Sequence, residues 1–360
     1  MAEKIRRYKN EIILFAVGAV LVVAALVLAS VCDSNRALAD KVFLPIASVL
    51  SFPIKLLTGW VPFSLFECAV ILVVPVVVTI FVLYALKNVK KGVGVFSSLL
   101  KFLLRLLGIA GICFFAYYLL FSLPGRRTRM LDEVYGGKTD ASVQQLYELT
   151  VELVEKSNET YTDTFDSTRR QLNADLKEGY RSLHEKVDYV GSFPASVKPV
   201  MLSKALSYAD ISGIFFCLTQ EANFNTDSMP FTVPYTMAHE MAHSVLIVSE
   251  AEANFVAFLV SLECDNEEIV YSGYFDAMIY CLNALGRVDD KLFREAYSHM
   301  SAEVYADIIA QRNHLAQYEG PVKDTSNQIN DWSIKVSGQP SGIKSYGEVV
   351  DLLLAWYLQK

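Results

Sequence analysis

No two cysteines in this sequence stand at the spacing of a zinc site, which excludes a cysteine-built metal centre. Cys217, Cys264 and Cys281 lie in apolar surroundings in the C-terminal part and read as buried thiols, an odd number that makes no disulfide framework. The C-terminal part is also short of basic residues. After residue 129 there are 17 Lys+Arg against 34 Asp+Glu, a net of −17, whereas the first 129 residues carry 15 against 5, a net of +10. An acidic domain repels phosphate backbones, so no nucleic-acid partner is expected. Internal repeats and low-complexity runs are lacking too. Histidine is scarce, with five in 360 residues, yet two of the five fall within His239-Glu240-Met241-Ala242-His243.

What the chain has in abundance is apolar sequence. It is 53% hydrophobic, too apolar for an ordinary soluble protein of this length. Ile12 to Val31 is a run of 20 uncharged residues preceded by Lys4, Arg6, Arg7 and Lys9. It is longer than the core of a cleaved signal peptide, and Val31 is too large to precede a lipidated Cys32, so it reads as an uncleaved transmembrane helix. Further spans are expected at about 68–86, with Pro75 inside, and about 106–123, with Lys101 and Arg105 at its start. The segment 42–60 is interrupted by Pro45, Pro53 and Lys55, and reads as interfacial or re-entrant. The lipid bilayer is therefore one partner. Lys87, Lys90, Lys91, Lys101 and Arg105 join the basic amino terminus on one side. This bias puts the amino terminus inside and, after three crossings, the rest of the chain outside the cytoplasm. Cys32 and Cys68 then share the outer face and could pair, though nothing in the sequence requires it.

Residues 126–360 suffice for one sizeable domain. The periodicity predicts helices at 143–156, 167–187 (a long polar helix with His184-Glu185 towards solvent), 267–285, 291–317 and 346–358. Gly213 to Leu218 is the strand candidate, followed by an extended Ala222 to Asn225. The expected class is mainly α with a small β element.

The histidines at i and i+4 lie on one helix face, where both imidazoles can bind one zinc ion, with Glu240 between them to act on a water. The competing reading is a helix with two coincidental histidines. A catalytic site needs a third ligand, and Ser249-Glu250-Ala251-Glu252-Ala253-Asn254 offers candidates. Ser249 with Glu252 forms a capping box, so a new helix begins there. Glu250 and Asn254 share one face of it, with Glu252 far round. Glu250 is thus the expected third ligand, Asn254 its supporting hydrogen-bond partner, and Glu252 the alternative ligand. The acids also fit an ordinary acidic helix start. Ser249, Glu250 and Glu252 interrupt the neighbouring apolar runs, which argues against a site inside the bilayer.

With these residues in view, His-Glu-Met-Ala-His followed by Glu-Ala-Glu-Ala-Asn-Phe resembles the gluzincin metallopeptidases. The whole chain resembles a bacterial membrane family catalogued as domain of unknown function 3810. That resemblance rests on the three spans, Val61-Pro62-Phe63-Ser64, Gln220-Glu221-Ala222-Asn223 and Lys344-Ser345-Tyr346-Gly347. It implies a zincin-like α+β domain and a peptidase. The sequence departs from the family after the second histidine, at Ser244, Val245 and Leu246.

The chemistry so implied is hydrolysis of peptide bonds, with a peptide or protein as substrate, Zn2+ as cofactor and Glu240 as general base. Tyr346, in the Ser-Tyr-Gly turn that matches the family, is the preferred oxyanion donor over Tyr274, His299 and His314. The strand near Phe215 and the segment from Glu221 to Asn225, with Glu221 and Asn223 on it, are expected to form the edge that pairs with an extended substrate, as in zinc peptidases generally, unless that strand is plain core. Phe215 and Phe216 are expected in the core. A second reading is a non-catalytic surface sensor or assembly factor that uses a protease-like domain for binding. A transporter finds no support, since the spans hold no buried acid–base pair.

Overall fold

The computed structural model describes residues 8–90, 93–137, 141–336 and 346–360. Among these residues, four helices are long and apolar enough to cross a membrane: α1 (Lys9–Ser34), α2 (Arg36–Gly59), α3 (Leu65–Val89) and α4 (Val95–Ser122). α1 and α3 extend the expected spans at both ends, and α4 starts 11 residues before its expected span and ends with it, to within one residue. α2 is the difference, for the segment expected to be broken is one helical stretch. Pro45 stands in the first turn of its α-helical part, where the missing N–H has no partner to lose, and Pro53 is accommodated in the interior. After its first three residues, Arg36–Leu38, the stretch passes through a π turn at Ala39–Phe43.

α1 and α4 cross at glycines. A Cβ on Gly18 would lie 2.5 Å from Gly108 O, and one on Gly111 would lie 2.6 Å from Gly18 O. Only glycine permits this backbone approach, the device that joins membrane helices without a hydrophobic driving force. At one end of this bundle Glu11 accepts hydrogen bonds from Arg105 (2.8 Å) and Tyr84 (3.4 Å). At the other end the helices meet the C-terminal domain.

The way α2 sits follows from its two ends. Asp40 accepts from the Thr128 N–H and hydroxyl at 2.9 and 2.7 Å. Near its far end Lys55 Nζ donates to Phe193 O and Ser244 O at 3.1 and 3.0 Å, and Thr58 O accepts Lys198 Nζ at 2.8 Å. Both ends of α2 are therefore hydrogen-bonded to the C-terminal part of the chain. α3 instead has its first turn at the domain and its Tyr84 at the Glu11 cluster.

The domain is mainly helical around a three-stranded sheet. α5 (Val143–Glu159) and α6 (Arg169–Lys186) both start at complete capping boxes, Ser142 with Gln145 and Thr168 with Gln171. α6 buries Leu172, Leu176, Tyr180 and Leu183 in the core. His184 Nδ1 lies 2.7 Å from Val190 O and the residue is half-buried, whereas Glu185 is exposed. The strands are β1 (Val197–Val200), β2 (Gly213–Phe216) and β3 (Glu221–Asn225), in the order β1-β3-β2. β3 pairs parallel with β1 (Val197 opposite Ala222) and antiparallel with β2 (Gly213 opposite Phe224).

α7 (Val233–Ser244) and α8 (Glu250–Leu262) follow, then α9 (Glu267–Val288), α10 (Asp290–Ser298), α11 (Ala302–Ala316), α12 (Pro321–Val336) and α13 (Tyr346–Tyr357). α8 is the centre of the core, with every residue from Ala251 to Ser261 buried. The helix expected over 291–317 is two, because the Ser301 hydroxyl accepts the Val304 N–H and starts a new one. β1 and α12 have no counterpart in the sequence reading. All six cysteines are free thiols, Cys32 and Cys68 included.

Candidate metal centre

α7 is held from both sides before its histidines appear. The Tyr235 N–H donates to Ser272 Oγ (3.0 Å) on α9, and the Tyr180 hydroxyl on α6 donates to Ala238 O (2.7 Å). The helix stops through Leu246, whose φ of 68° lies in the left-handed region that favours glycine. Ile247 N–H then closes on Ala242 O at 3.1 Å. This is the point where the sequence departs from its resemblance, and Leu246 makes the left-handed turn without a glycine. The turn carries Ile247 O to 2.8 Å from His243 Nδ1. That contact makes Nδ1 the donor to the carbonyl, so Nε2 is the nitrogen left to face a metal.

Ser249 Oγ caps α8 by accepting the Glu252 N–H, and the first residue of the helix, Glu250, turns to α7. His239 Nε2 and His243 Nε2 lie 3.1 Å apart. Glu250 Oε2 lies 3.3 Å from His239 Nε2, and Oε1 lies 3.6 Å from His243 Nε2. The three side chains offer one ligand atom each in a single cluster that could hold a metal ion. Burial opposes charge on His243, but the adjacent Glu250 carboxylate outweighs it and lifts the imidazole to about 9. Glu250 is pressed upward by burial and pulled down further by the two histidines, ending well below the usual carboxylate range.

Glu240 reaches towards Gly213 on β2 and stays within electrostatic range of both histidines. Its side chain is buried, and Oε2 has no hydrogen-bond partner among the described residues. Burial raises its pKa to about 7, against the pull of His239 and His243. Gly213 makes room for it: a Cβ there would stand 2.5 Å from Glu240 Oε1.

The remaining expected residues divide. Glu252 is not with the histidines. It is buried, with Oε1 accepting Met130 N–H at 2.7 Å and Oε2 accepting the Tyr189 hydroxyl at 2.9 Å. Asn254 is buried on α8, and its hydrogen bond runs through the backbone carbonyl, which accepts the Tyr235 hydroxyl at 2.8 Å. Tyr346 begins α13, but its side chain lies outside the described residues. Tyr274 packs on Phe258, His299 faces Glu155, and His314 packs on Tyr318.

Glu221 and Asn223 are not on a free edge, which corrects the expectation for them. Their strand β3 is the middle one, paired on both sides. The Glu221 carboxylate forms a buried ion pair with Lys198 and accepts the N–H groups of Leu65 (3.1 Å) and Phe66 (3.0 Å) at the start of α3. Asn223 donates from Nδ2 to Ile214 O and Glu221 O at 3.2 Å each. The strand edge beside the histidines is β2. Asn225 N–H bonds Ser212 O, so the register puts Ile214 opposite Asn223 and Phe216 opposite Glu221 as the bonded pairs. Gly213 and Phe215 thus turn their backbone N–H and C=O groups away from the sheet.

Residues that the sequence did not mark complete the surroundings. Phe121, in the last turn of α4, places its ring 6.0 Å from that of His243 and 5.6 Å from that of Phe215. Phe215 is half-buried between these two and packs against the margin of the core. A contact 122 positions apart in the chain leaves no local pattern, and Phe121 reads in sequence as one more apolar residue of a span.

No curated protein and no solved structure matches this chain. A family described as "Protein of unknown function (DUF3810)" matches over residues 40–354, from the start of α2 to the last turns of α13. The chain belongs to this family.

Proposed function

We propose that this protein is a membrane-anchored zinc metallopeptidase that hydrolyses peptide bonds outside the cytoplasm. The observation that carries the reading is the spacing of the three ligand atoms. Two zinc–nitrogen bonds of about 2.0–2.1 Å meeting at a tetrahedral angle set the nitrogens roughly 3.3 Å apart. His239 Nε2, His243 Nε2 and the Glu250 oxygens lie 3.1 to 3.6 Å from one another. Two imidazoles and one carboxylate are also the donor set of a catalytic zinc with an open fourth position.

Zinc, when bound, supplies Lewis acidity that polarises a carbonyl and makes water easier to deprotonate. Glu240 supplies the base. Its buried carboxylate has an unpartnered oxygen, and a pKa near neutrality suits a group that takes a proton from the attacking water and returns it to the leaving amine. His243 is held in one tautomer by Ile247 O. The outward N–H and C=O groups of Gly213 and Phe215 on β2 offer an extended substrate a strand to pair with, next to both Glu240 and His243.

In the bilayer, α1, α3 and α4 cross, and α2, held to the domain at both ends, lies along the interface. Lys9, Lys87, Lys90, Lys101 and Arg105 belong to the part of the bundle away from the domain, so the positive-inside rule puts the amino terminus in the cytoplasm and the domain outside.

The test is metal analysis of the purified full chain beside a proteolysis assay of wild type and Glu240→Gln. One zinc per chain in both, with cleavage in wild type alone, is the expected result. A chain that takes up no zinc would overturn the assignment. Zinc without cleavage in either protein would favour a binding role for the domain.

A further inference from the structure

We propose that the substrate is a membrane-embedded polypeptide, which reaches the metal centre sideways from the bilayer along α4; this rests on the peptidase reading and names its substrate class. A cavity of about 430 Å³ lies between the outer half of α4 and the free edge of β2. Cys113, Tyr117 and Phe121 line one wall, and Phe215, Phe216 and Leu218 line the other. Its upper end is closed by Phe121 and Phe215, whose rings pack on the His243 ring and so separate it from the metal centre by one layer of side chains. Its lower end is on the outside of the helix bundle, where Ala110 and Cys113 are exposed on a span that would face lipid.

A second groove, of about 490 Å³, continues from it along the seam of α1 and α4 and shares Ala110 and Phe114 with it. From Leu107 to Phe121 the track follows α4 for about 21 Å at 1.5 Å per residue, well over half the thickness of a bilayer core of about 30 Å. A soluble peptide has no use for an apolar track of that length and depth.

The chemistry at the upper end decides between a polypeptide and a lipid chain. An acyl chain would fill the apolar walls but leave the outward N–H and C=O groups of Gly213 and Phe215 without partners. A polypeptide satisfies both parts. Its apolar segment lies in the groove as a helix, and where it leaves the bilayer it extends and adds to β2. Glu240, against Gly213, then faces a peptide bond a few residues beyond the membrane boundary.

The experiment uses the zinc-loaded full chain in vesicles of phosphatidylethanolamine and phosphatidylglycerol. It is given two probes: a mixture of single-pass bacterial membrane proteins reconstituted with it, and a soluble peptide library of the same proteome. New amino termini are counted by mass spectrometry for wild type, Glu240→Gln, Ala110→Trp and Cys113→Trp. The expected result is cleavage clustered within about ten residues of the outer end of membrane segments. In the two groove-filling variants, the ratio of membrane to soluble cleavage is expected to fall at least tenfold. Cleavage of soluble peptides with no membrane cluster, or an unchanged ratio in both variants, overturns this proposal and leaves the peptidase reading standing. Cleavage confined to those proteins of the mixture that carry a covalent lipid assigns the groove to an acyl chain and also overturns it. No cleavage of either probe, or equal cleavage by Glu240→Gln, overturns the peptidase reading itself.

Discussion

Gly213 lies directly against Glu240: a Cβ on the glycine would stand 2.5 Å from Oε1 and 2.7 Å from Cγ of the glutamate. The general base of the proposed reaction is thus positioned by a missing side chain on the neighbouring strand. Gly213→Ala is expected to push the carboxylate aside while leaving the histidines and Glu250 alone. A displacement of the order of 1 Å at a reacting group costs about 100-fold in rate. Zinc content should be unchanged and kcat reduced on that scale, measured on one preparation. Unaltered kcat would mean that the contact does not position the base.

Glu250 and Glu252 stand two residues apart and do different work. Glu250 reaches both histidines, whereas Glu252 holds Met130 N–H and the Tyr189 hydroxyl in the core. Glu250→Ala should therefore abolish metal binding with little change in thermal stability. Glu252→Ala should retain one zinc per folded chain and lose stability, because each buried donor left without a partner costs about 1–3 kcal/mol. Metal analysis and thermal unfolding of the two variants side by side check this, and the opposite pattern would exchange the roles.

How far this site could be read from sequence depends on how local each part is. His239 and His243 declare themselves through the four-residue spacing of one helix face, and Glu250 through the cap at Ser249 that starts the next helix. The mainly helical class and the three long apolar spans were equally legible, because each rests on a run of neighbouring residues. What stayed hidden depends on contacts between distant segments. β1 is four residues, Val-Lys-Pro-Val, with a proline and a lysine that argue against a buried strand. It forms because Lys198 meets Glu221 and the carbonyl of Thr58. Glu221 reads in sequence as a substrate contact because its extended segment matches the edge strand of zinc peptidases generally. Its carboxylate is instead taken up by a membrane helix 155 positions away. In α2 the prolines were read as breaks, but one is in a first turn and the other is absorbed by the helix.

The Glu221 carboxylate ties three parts of the molecule together: its own central strand, Lys198 on β1 and the first turn of α3. Glu221→Ala would leave a buried lysine unpaired and two helix N–H groups without an acceptor. Removing one partner of a buried pair costs about 3–5 kcal/mol, so a large fall in thermal stability in detergent is expected. The double variant Lys198→Met with Glu221→Gln should recover much of the loss, since it removes the stranded charge and keeps an acceptor at the helix start. If Glu221→Ala is as stable as wild type, this carboxylate does not fasten the domain to the membrane helices.

Asp276 on α9 gives the domain a pH dependence with a definite sign. Its Oδ2 is buried with no hydrogen-bond partner among the described residues, and burial raises the carboxyl from 3.8 to about 8. The folded state therefore holds this proton more tightly than the unfolded chain. The stability it confers is complete below pH 4, declines as the pH rises, and is gone above pH 8. Asp276→Asn removes the titration, so the variant should gain on wild type between pH 5 and pH 8.5, by roughly 1–3 kcal/mol at the upper end. Thermal unfolding of both proteins at the two pH values measures the difference. Parallel pH profiles would show that the carboxyl is solvated in the folded state.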